Sequence, residues 1–181
     1  MQYTISKAGD ILFGNQRQKL EWCNAVWNRV NIPKHRMIAW LTVLGKLKTK
    51  EKLWKMKVIP DKLCLICGDH DESIGHLYFE CRYSSEIIQN VKEWANWQTK
   101  KAGLLELMAW IRKKKRVTTV WRSVSWAILT SCVYQIWKMR NEALWHQKVW
   151  RIGMVMQYIK QEVQNRLQIC FFFKKKKIYC K

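Results

Sequence analysis

Hydrophobic residues recur at intervals of three and four along most of the chain, which is the spacing of one face of an α-helix. In the segment that begins at Pro33, the residues Met37, Trp40, Leu41 and Leu44 follow this spacing. Pro33 suits the first turn of a helix, where no backbone N–H group is needed for an intrahelical hydrogen bond. The strict alternation that is typical of strands is weak throughout. The pattern therefore predicts a mostly α-helical protein.

Two further helices are predicted in the centre of the chain. Thr49 is expected to be the N-cap of a short helix that ends at Met56, because its hydroxyl group can accept a hydrogen bond from the first turn. Ser84 is expected to cap the next helix in the same way. The hydrophobic stripe of that next helix is formed by Ile87, Ile88, Val91, Trp94 and Ala95.

The C-terminal half is predicted to contain three more helices after a polar linker at residues 98–102. They are a short helix over residues 104–111, a long helix from Thr118 onward, and a last helix over about residues 154–169. One face of the long helix is expected to carry Trp121, Val124, Ile128, Cys132, Ile136, Met139 and Ala143.

Hydrophobic residues make up 49% of the 181 residues, which is enough for a core and argues against disorder throughout. We predict a small helical domain over residues 1–98 and a basic helical region over residues 99–181, with a disordered tail from about residue 171. The longest uncharged run, Ser123–Trp137, would span about 22 Å as a helix, less than the roughly 30 Å of a bilayer core. A membrane-spanning helix is therefore not expected, and a membrane is not the expected partner.

The charge is strongly positive and unevenly distributed. With 34 Lys and Arg against 13 Asp and Glu the formal net charge is +21, yet residues 61–98 carry −4. Two clusters in the flanks are candidates for nucleic-acid binding. They consist of Lys46, Lys48, Lys50, Lys52, Lys55 and Lys57, and of Arg112, Lys113, Lys114, Lys115 and Arg116. Such density favours RNA or DNA, bound with low sequence specificity, over its alternative, a solvated basic face.

The central acidic segment contains a metal-ligand motif. Cys64 and Cys67 are separated by two residues, and His76 and Cys81 follow after eight residues with a spacing of four between them. Two thiolates at this separation bind a tetrahedral zinc ion from one tight turn, for which Gly68 supplies backbone freedom. We therefore predict one structural Zn²⁺ held by three cysteines and one histidine.

Two alternatives to this ligand set remain open. His70 competes with His76 as the fourth ligand, although it follows Cys67 after only two intervening residues. The cysteines are alternatively unmetallated core thiols, because free cysteine is commonly buried. Residues five apart on an ideal helix point about 140° apart. If His76 is the ligand, Cys81 must therefore lie at or beyond the end of the turn that carries it.

Composition disfavours several classes of function. Only four Asp occur and none follows Asp71, so clustered carboxylates of the kind that hold catalytic Mg²⁺ are missing. No glycine-rich phosphate loop is present, and we expect neither catalysis nor a small-molecule substrate. The N-terminus lacks the apolar core of a signal peptide. A reducing compartment, nucleus or cytoplasm, is therefore expected, and not secretion.

The ordered set of motifs resembles the zinc-binding domain that lies downstream of the polymerase in plant LINE-type (non-LTR) reverse transcriptases. The resemblance covers about residues 3–97. It rests on Trp22, Trp27, Pro33, Lys34, Trp40, Leu41, Leu47, Lys48, Thr49, Leu53, Cys64, Cys67, Glu72, His76, Leu77, Phe79 and Cys81. Residues 136–141 (IWKMRN) resemble the stretch often found between that zinc domain and a following ribonuclease H domain.

The resemblance implies a non-catalytic zinc-binding module derived from a retroelement. Its contact with nucleic acid would come from the basic flanks, because three thiolates and one Zn²⁺ leave the centre with a charge of about −1. Two other interpretations remain: a helical piece that binds a protein or a membrane surface, and a decayed relic without present function.

Overall fold

The computed structural model describes the backbone of residues 20–179 and the side chains of residues 20–170. Within this range it contains a π-helical turn, His76–Glu80, and seven α-helices. The helices are α1 (Cys23–Val26), α2 (Pro33–Val43), α3 (Lys50–Lys55), α4 (Arg82–Trp94), α5 (Leu104–Lys113), α6 (Thr119–His146) and α7 (Ile152–Tyr179). The only strand-like pairing in the described range is one antiparallel bridge between Leu63 and Asp71. The predicted mostly α-helical fold is confirmed.

Helix α6 is the centre of the core. Every residue from Ser125 to Val133 is buried, so this part of the helix is enclosed on all sides. Helices α1, α2, α4, α5 and α7 all contact it. Its start agrees with the sequence pattern, because the Thr118 hydroxyl group accepts a hydrogen bond of 3.0 Å from the backbone N–H of Trp121. Among the described residues, no helix combines the length and hydrophobicity that a bilayer crossing requires.

Helix α2 buries only part of the predicted stripe, since Trp40 and Leu41 are partly buried and pack against the core. Met37 and Leu44 are 49% and 37% exposed. The buried residues are instead His35, Ile38, Ala39 and Thr42. Two of these are polar and have partners: His35 Nε2 lies 3.1 Å from Glu162 Oε2 on α7, and Thr42 donates to a backbone carbonyl of its own helix. Apolar periodicity could not reveal this face, because polar side chains with partners form part of it.

Helix α4 begins earlier than predicted. Its first residue is Arg82, and Cys81 precedes it in an extended conformation. The expected cap, Ser84, lies inside the helix and is buried, with no side-chain cap hydrogen bond at the N-terminus. The first turn is closed by the backbone, since Ser85 N–H donates to the Cys81 carbonyl at 2.8 Å. The candidate ligand Cys81 thus sets the start of α4.

The regions on either side of residue 98 share one hydrophobic core. Helix α2 packs on α6, and α4 packs on both α6 and α7. Polar contacts cross the same boundary: Tyr83 Oη donates to the Trp150 carbonyl at 2.6 Å, and Lys34 Nζ lies 3.0 Å from Glu162 Oε1. The backbone of α7 continues as a helix to Tyr179. The boundary at residue 98 and the disordered tail from about residue 171 stay predictions.

Candidate metal centre

Four potential ligands converge in the centre of the chain. One ligand atom from each of Cys64, Cys67, His76 and Cys81 lies within 4.8 Å of all the others, and Cys67 Sγ is 3.3 Å from His76 Nε2. All are buried except Cys67, which is partly exposed. Three sulfurs and one imidazole nitrogen are donors that tetrahedral Zn²⁺ prefers. The cluster therefore suits one Zn²⁺ ion, which when bound would hold together the two halves of residues 56–81, called the metal loop below.

The first pair of ligands is presented by a tight turn. Cys64 N–H donates to the His70 carbonyl at 2.8 Å, and Gly68 N–H donates back to the Cys64 carbonyl at 2.9 Å. Gly68 has a φ of +74°, in the left-handed region that glycine adopts without a steric penalty. The turn directs the side chains of Cys64 and Cys67 to the same point, as the spacing predicted.

The second pair depends on a π-helical turn. Cys81 N–H donates to the His76 carbonyl at 2.8 Å, so the hydrogen bond joins residues five apart instead of four. This wider turn brings together two residues that an α-helix would point in different directions. Cys81 follows directly after the turn, as helix geometry predicted for a pair with this spacing. The π-helical turn thus explains how His76 and Cys81, with four residues between them, can both reach the same cluster.

A hydrogen bond between the thiols of Cys64 and Cys81 shifts their pKa values in opposite directions. It raises the pKa of Cys64 to about 12 and lowers the pKa of Cys81 to about 7. Cys132 differs, because burial in the core raises its pKa to about 12 and it belongs to neither of the metal-ligand groups found among the described residues. Metal binding needs thiolates, and of these three cysteines Cys81 loses its proton most readily. Cys132 stays a protonated core thiol.

His70 lies beside the four-residue cluster and is exposed. Its ring stacks on that of His76 with a centroid distance of 5.4 Å. It forms a second, overlapping group with Cys67 and Asp69, of which two members are exposed. The buried cluster is complete with His76, and His70 is placed at its rim.

A buried carboxylate connects the metal loop to two helices. Glu72 is completely buried, and Arg140 of α6 donates to its carboxylate from Nε at 3.0 and 3.2 Å, with Nη2 2.9 Å away. The backbone N–H of Lys50, at the start of α3, donates to Glu72 Oε1 at 2.9 Å. Thr49 occupies the N-cap position as predicted, but its hydroxyl group forms no cap hydrogen bond, so Glu72 is the cap. Buried charges are costly unless they are paired in this way.

Only indirect signs of this ion pair are present in the sequence. Glu72 and Arg140 lie in two separate motifs of the resemblance, and no spacing along the chain connects them. Arg140 also follows a long uncharged run, Ser123–Trp137, and a charge in a buried helix needs a partner. That pattern signals a buried ion pair without identifying the acid.

The first basic cluster is not uniform. Lys46, Lys48, Lys55 and Lys57 are exposed and Lys52 is partly exposed. Lys50 is only 6% exposed, and its Nζ pairs with Asp61. Lys50 is buried because its backbone N–H donates to Glu72, and this hydrogen bond holds the start of α3 against the metal loop. The structure therefore removes Lys50 from the candidate phosphate contacts. Lys55 pairs with Glu51 at the surface.

The second basic cluster is also divided. Lys113, Lys115 and Arg116 are exposed, whereas Arg112 pairs with Glu21. Lys114 Nζ lies over two indole rings, 4.5 Å from the centroid of Trp110 and 5.6 Å from that of Trp121. A cation held over aromatic faces is already partly neutralised.

No curated protein and no solved structure matches the chain. A family model does match, and its range ends inside α4, so it contains all four candidate ligands but not α5, α6 or α7. The family is a zinc-binding region and not a catalytic domain. Over residues 3–87, the chain is similar to the family described as zinc-binding in reverse transcriptase.

Proposed function

We propose that the chain is a non-catalytic, zinc-binding module derived from the reverse transcriptase of a plant LINE-type retroelement, and that it contacts nucleic acid through its basic flanks in the nucleus or cytoplasm. The family match and the Cys₃His cluster support the first part. A closed set of four ligands offers no open position for substrate. The role of the metal is therefore to organise the fold.

The observation that carries nucleic-acid contact is a basic surface around α3. This α3 surface consists of Lys46, Lys48, Lys52, Trp54, Lys55 and Lys57. Its lysines can release counterions from phosphates. Trp54 is 43% exposed, so one face of its ring can stack on a base. The exposed residues Lys113, Lys115 and Arg116 supply a second contact.

The surface is positioned by the metal loop. Glu72 caps the start of α3, and a second backbone hydrogen bond of 3.3 Å joins Glu51 N–H to the Glu72 carbonyl. The loop itself carries the exposed acids Asp69 and Glu80, which repel phosphate. The zinc loop thus acts as a support for the α3 surface and is not itself in contact with the nucleic acid.

The test is salt-dependent binding of a labelled single-stranded RNA and of a DNA duplex. The test variant replaces the five lysines of the α3 surface by glutamine. The control variant removes the same charge at exposed positions outside both basic surfaces. Its positions are Arg82, Lys100, Lys101, Lys148 and Arg151.

The test variant should bind at least tenfold more weakly and show a smaller slope of log K against log salt. The slope should fall by about 0.7 to 0.9 for each phosphate that the variant no longer neutralises. The control should keep the wild-type slope. Equal losses of affinity in the two variants would show that only the net charge matters, and no binding by the wild-type chain would refute nucleic-acid contact.

The alternative partner is an anionic membrane surface, which is favoured by Met56 and Val58, 55% and 62% exposed beside the lysines. Flotation with phosphatidylserine vesicles separates the two. Binding to vesicles that added RNA does not compete away would support the membrane.

A further inference from the structure

Two guanidinium groups from separate helices converge on one carbonyl oxygen. Arg36 of α2 and Arg166 of α7 each donate from Nη2 to the Arg29 carbonyl at 3.1 Å, so these two nitrogens are no further apart than twice that distance. Their Nε atoms donate to the carbonyls of Asn31 and Val30, also at 3.1 Å. Four hydrogen bonds thus hold the two cations side by side.

No carboxylate within the described residues forms an ion pair with Arg29, Arg36 or Arg166. Glu162, one turn before Arg166 on α7, directs its oxygens to side chains of α2 and α6. Burial and then the charge of Arg166 lower the pKa of Arg36, and the opposing effect of Cys170 is weaker. Within the described residues, the pair is therefore a concentration of positive charge that no acidic side chain neutralises.

We propose that Arg36 and Arg166, together with the exposed Arg29, form a binding site for a phosphate group of a nucleic-acid backbone. The inference rests on the proposed function and adds a site that lies outside both basic clusters. Nε and one hydrogen of Nη2 are used by the carbonyls, which leaves the Nη1–Nη2 edge of each guanidinium for the ligand. Such an edge binds two phosphate oxygens at once.

The arrangement is pre-organised in a way that surface lysines are not. Both side chains are partly buried and fixed by the carbonyls of residues 29–31, so little side-chain entropy is lost on binding. Capping those carbonyls requires only hydrogen-bond donors, and a neutral donor would serve as well as a charged one. A second permanent positive charge at this distance adds repulsion, and a bound anion removes it.

The site also exists only in the complete fold. Arg29 and Arg36 lie within the range of the family match, whereas Arg166 lies on α7, outside it. It is distinct from the α3 surface, because Arg36 is in the first turn of α2, whereas Lys46 lies beyond Val43, the last residue of that helix, which is about 10 Å further along its axis.

The experiment compares the double variant R36Q/R166Q with the control R82Q/R151Q, both in the full chain. The first readout is the NMR signal of each arginine Nε–Hε group during titration with inorganic phosphate, with chloride at equal ionic strength as reference. The second is the salt dependence of binding to a single-stranded oligonucleotide. Thermal unfolding monitors the fold of both variants.

We expect phosphate to shift the Nε–Hε signals of Arg36 and Arg166 saturably, and those of Arg82 and Arg151 no more than chloride does. In R36Q/R166Q the slope of log K against log salt should fall by about 0.7 for each phosphate that is no longer neutralised, and it should stay unchanged in the control. If the double variant does not fold, the wild-type titration and the two single variants give the answer.

An unchanged slope in folded R36Q/R166Q, or phosphate shifts no larger than those with chloride, would overturn the inference. The proposed function would survive if neutralising the α3 surface still abolished binding. Phosphate shifts in a chain that binds no oligonucleotide would overturn both, and would identify a site for free phosphate.

Discussion

The metal loop and the pair α6–α7 are stabilised in opposite ways. Between α3 and the π-helical turn the chain forms no helix, and its apolar residues Val58, Leu63 and Leu65 are exposed. Helix α6, in contrast, is buried over a long continuous stretch and packs closely on α7. The loop therefore depends on its metal ligands, whereas the helical pair depends on hydrophobic burial. The ion pair between Glu72 and Arg140 joins the metal loop to the helical pair.

The largest effect is expected from removing one ligand. Cys67→Ser should abolish zinc binding and unfold the loop, because structural zinc contributes about 10–16 kcal/mol in isolated zinc-finger peptides. Elemental analysis should give one zinc per wild-type chain and none in the variant. Hydrogen exchange should show that protection disappears around the π-helical turn and persists in α6.

Cys23→Ser is the matched control, since Cys23 is a partly exposed thiol outside the cluster. It should keep both the zinc and the protection. Zinc retained in Cys67→Ser would contradict the ligand assignment. Loss of protection in α6 as well would show that the two regions do not differ in what holds them.

The next effect comes from breaking the connection between the regions. Arg140→Met leaves the Glu72 carboxylate buried without its partner, which costs about 3–5 kcal/mol. The double variant Glu72→Met and Arg140→Met removes both charges and should regain part of that stability. Urea unfolding with zinc present gives the free energy of unfolding of the wild type and of both variants. Arg82→Met is the exposed control. A destabilisation below about 1 kcal/mol for Arg140→Met would mean that water solvates the carboxylate.

A smaller effect, of opposite sign in the two regions, is expected from glycine substitutions. Gly68→Ala should destabilise the loop by about 1–2 kcal/mol, because its positive φ disfavours a Cβ atom although the space around it is open. Gly153→Ala in α7 also meets open space, has no positive φ, and should be neutral or stabilising by up to about 1 kcal/mol. Unfolding and zinc competition measure both. The same sign at the two sites would contradict the strain assigned to Gly68.

The last effect concerns pH and is confined to the helical region. Burial alone would raise the pKa of Glu162, but hydrogen bonds from His35 and Gln135 lower it to about 2. A depressed pKa stabilises the fold above the unfolded value of about 4.3, and that contribution disappears as the pH falls from there towards 2. At pH 7, hydrogen exchange should show less protection of the α6 and α7 amides in Glu162→Gln than in the wild type. The difference should shrink towards pH 3, and a constant difference would contradict this role.

The predictions from sequence succeeded where the physical cause is local. Helix α6 begins within one residue of the predicted start at Thr118, and the turn at Gly68 follows from a motif of five residues. They failed at α2 and α4, where the buried face and the first residue depend on contacts with other helices and with Cys81. Periodicity describes one helix at a time, and it cannot include partners from elsewhere in the chain.

By itself, the sequence determined the helical class, the cysteines and histidines that are candidate zinc ligands, and the position of the basic clusters along the chain. All three depend on spacings of a few residues or on composition. Only the tertiary structure decided that Lys50 is buried, that Glu72 pairs with an arginine 68 positions away, and that Arg36 meets Arg166. The reason is physical: burial and ion pairing belong to surfaces in contact, and those surfaces form only when distant helices pack.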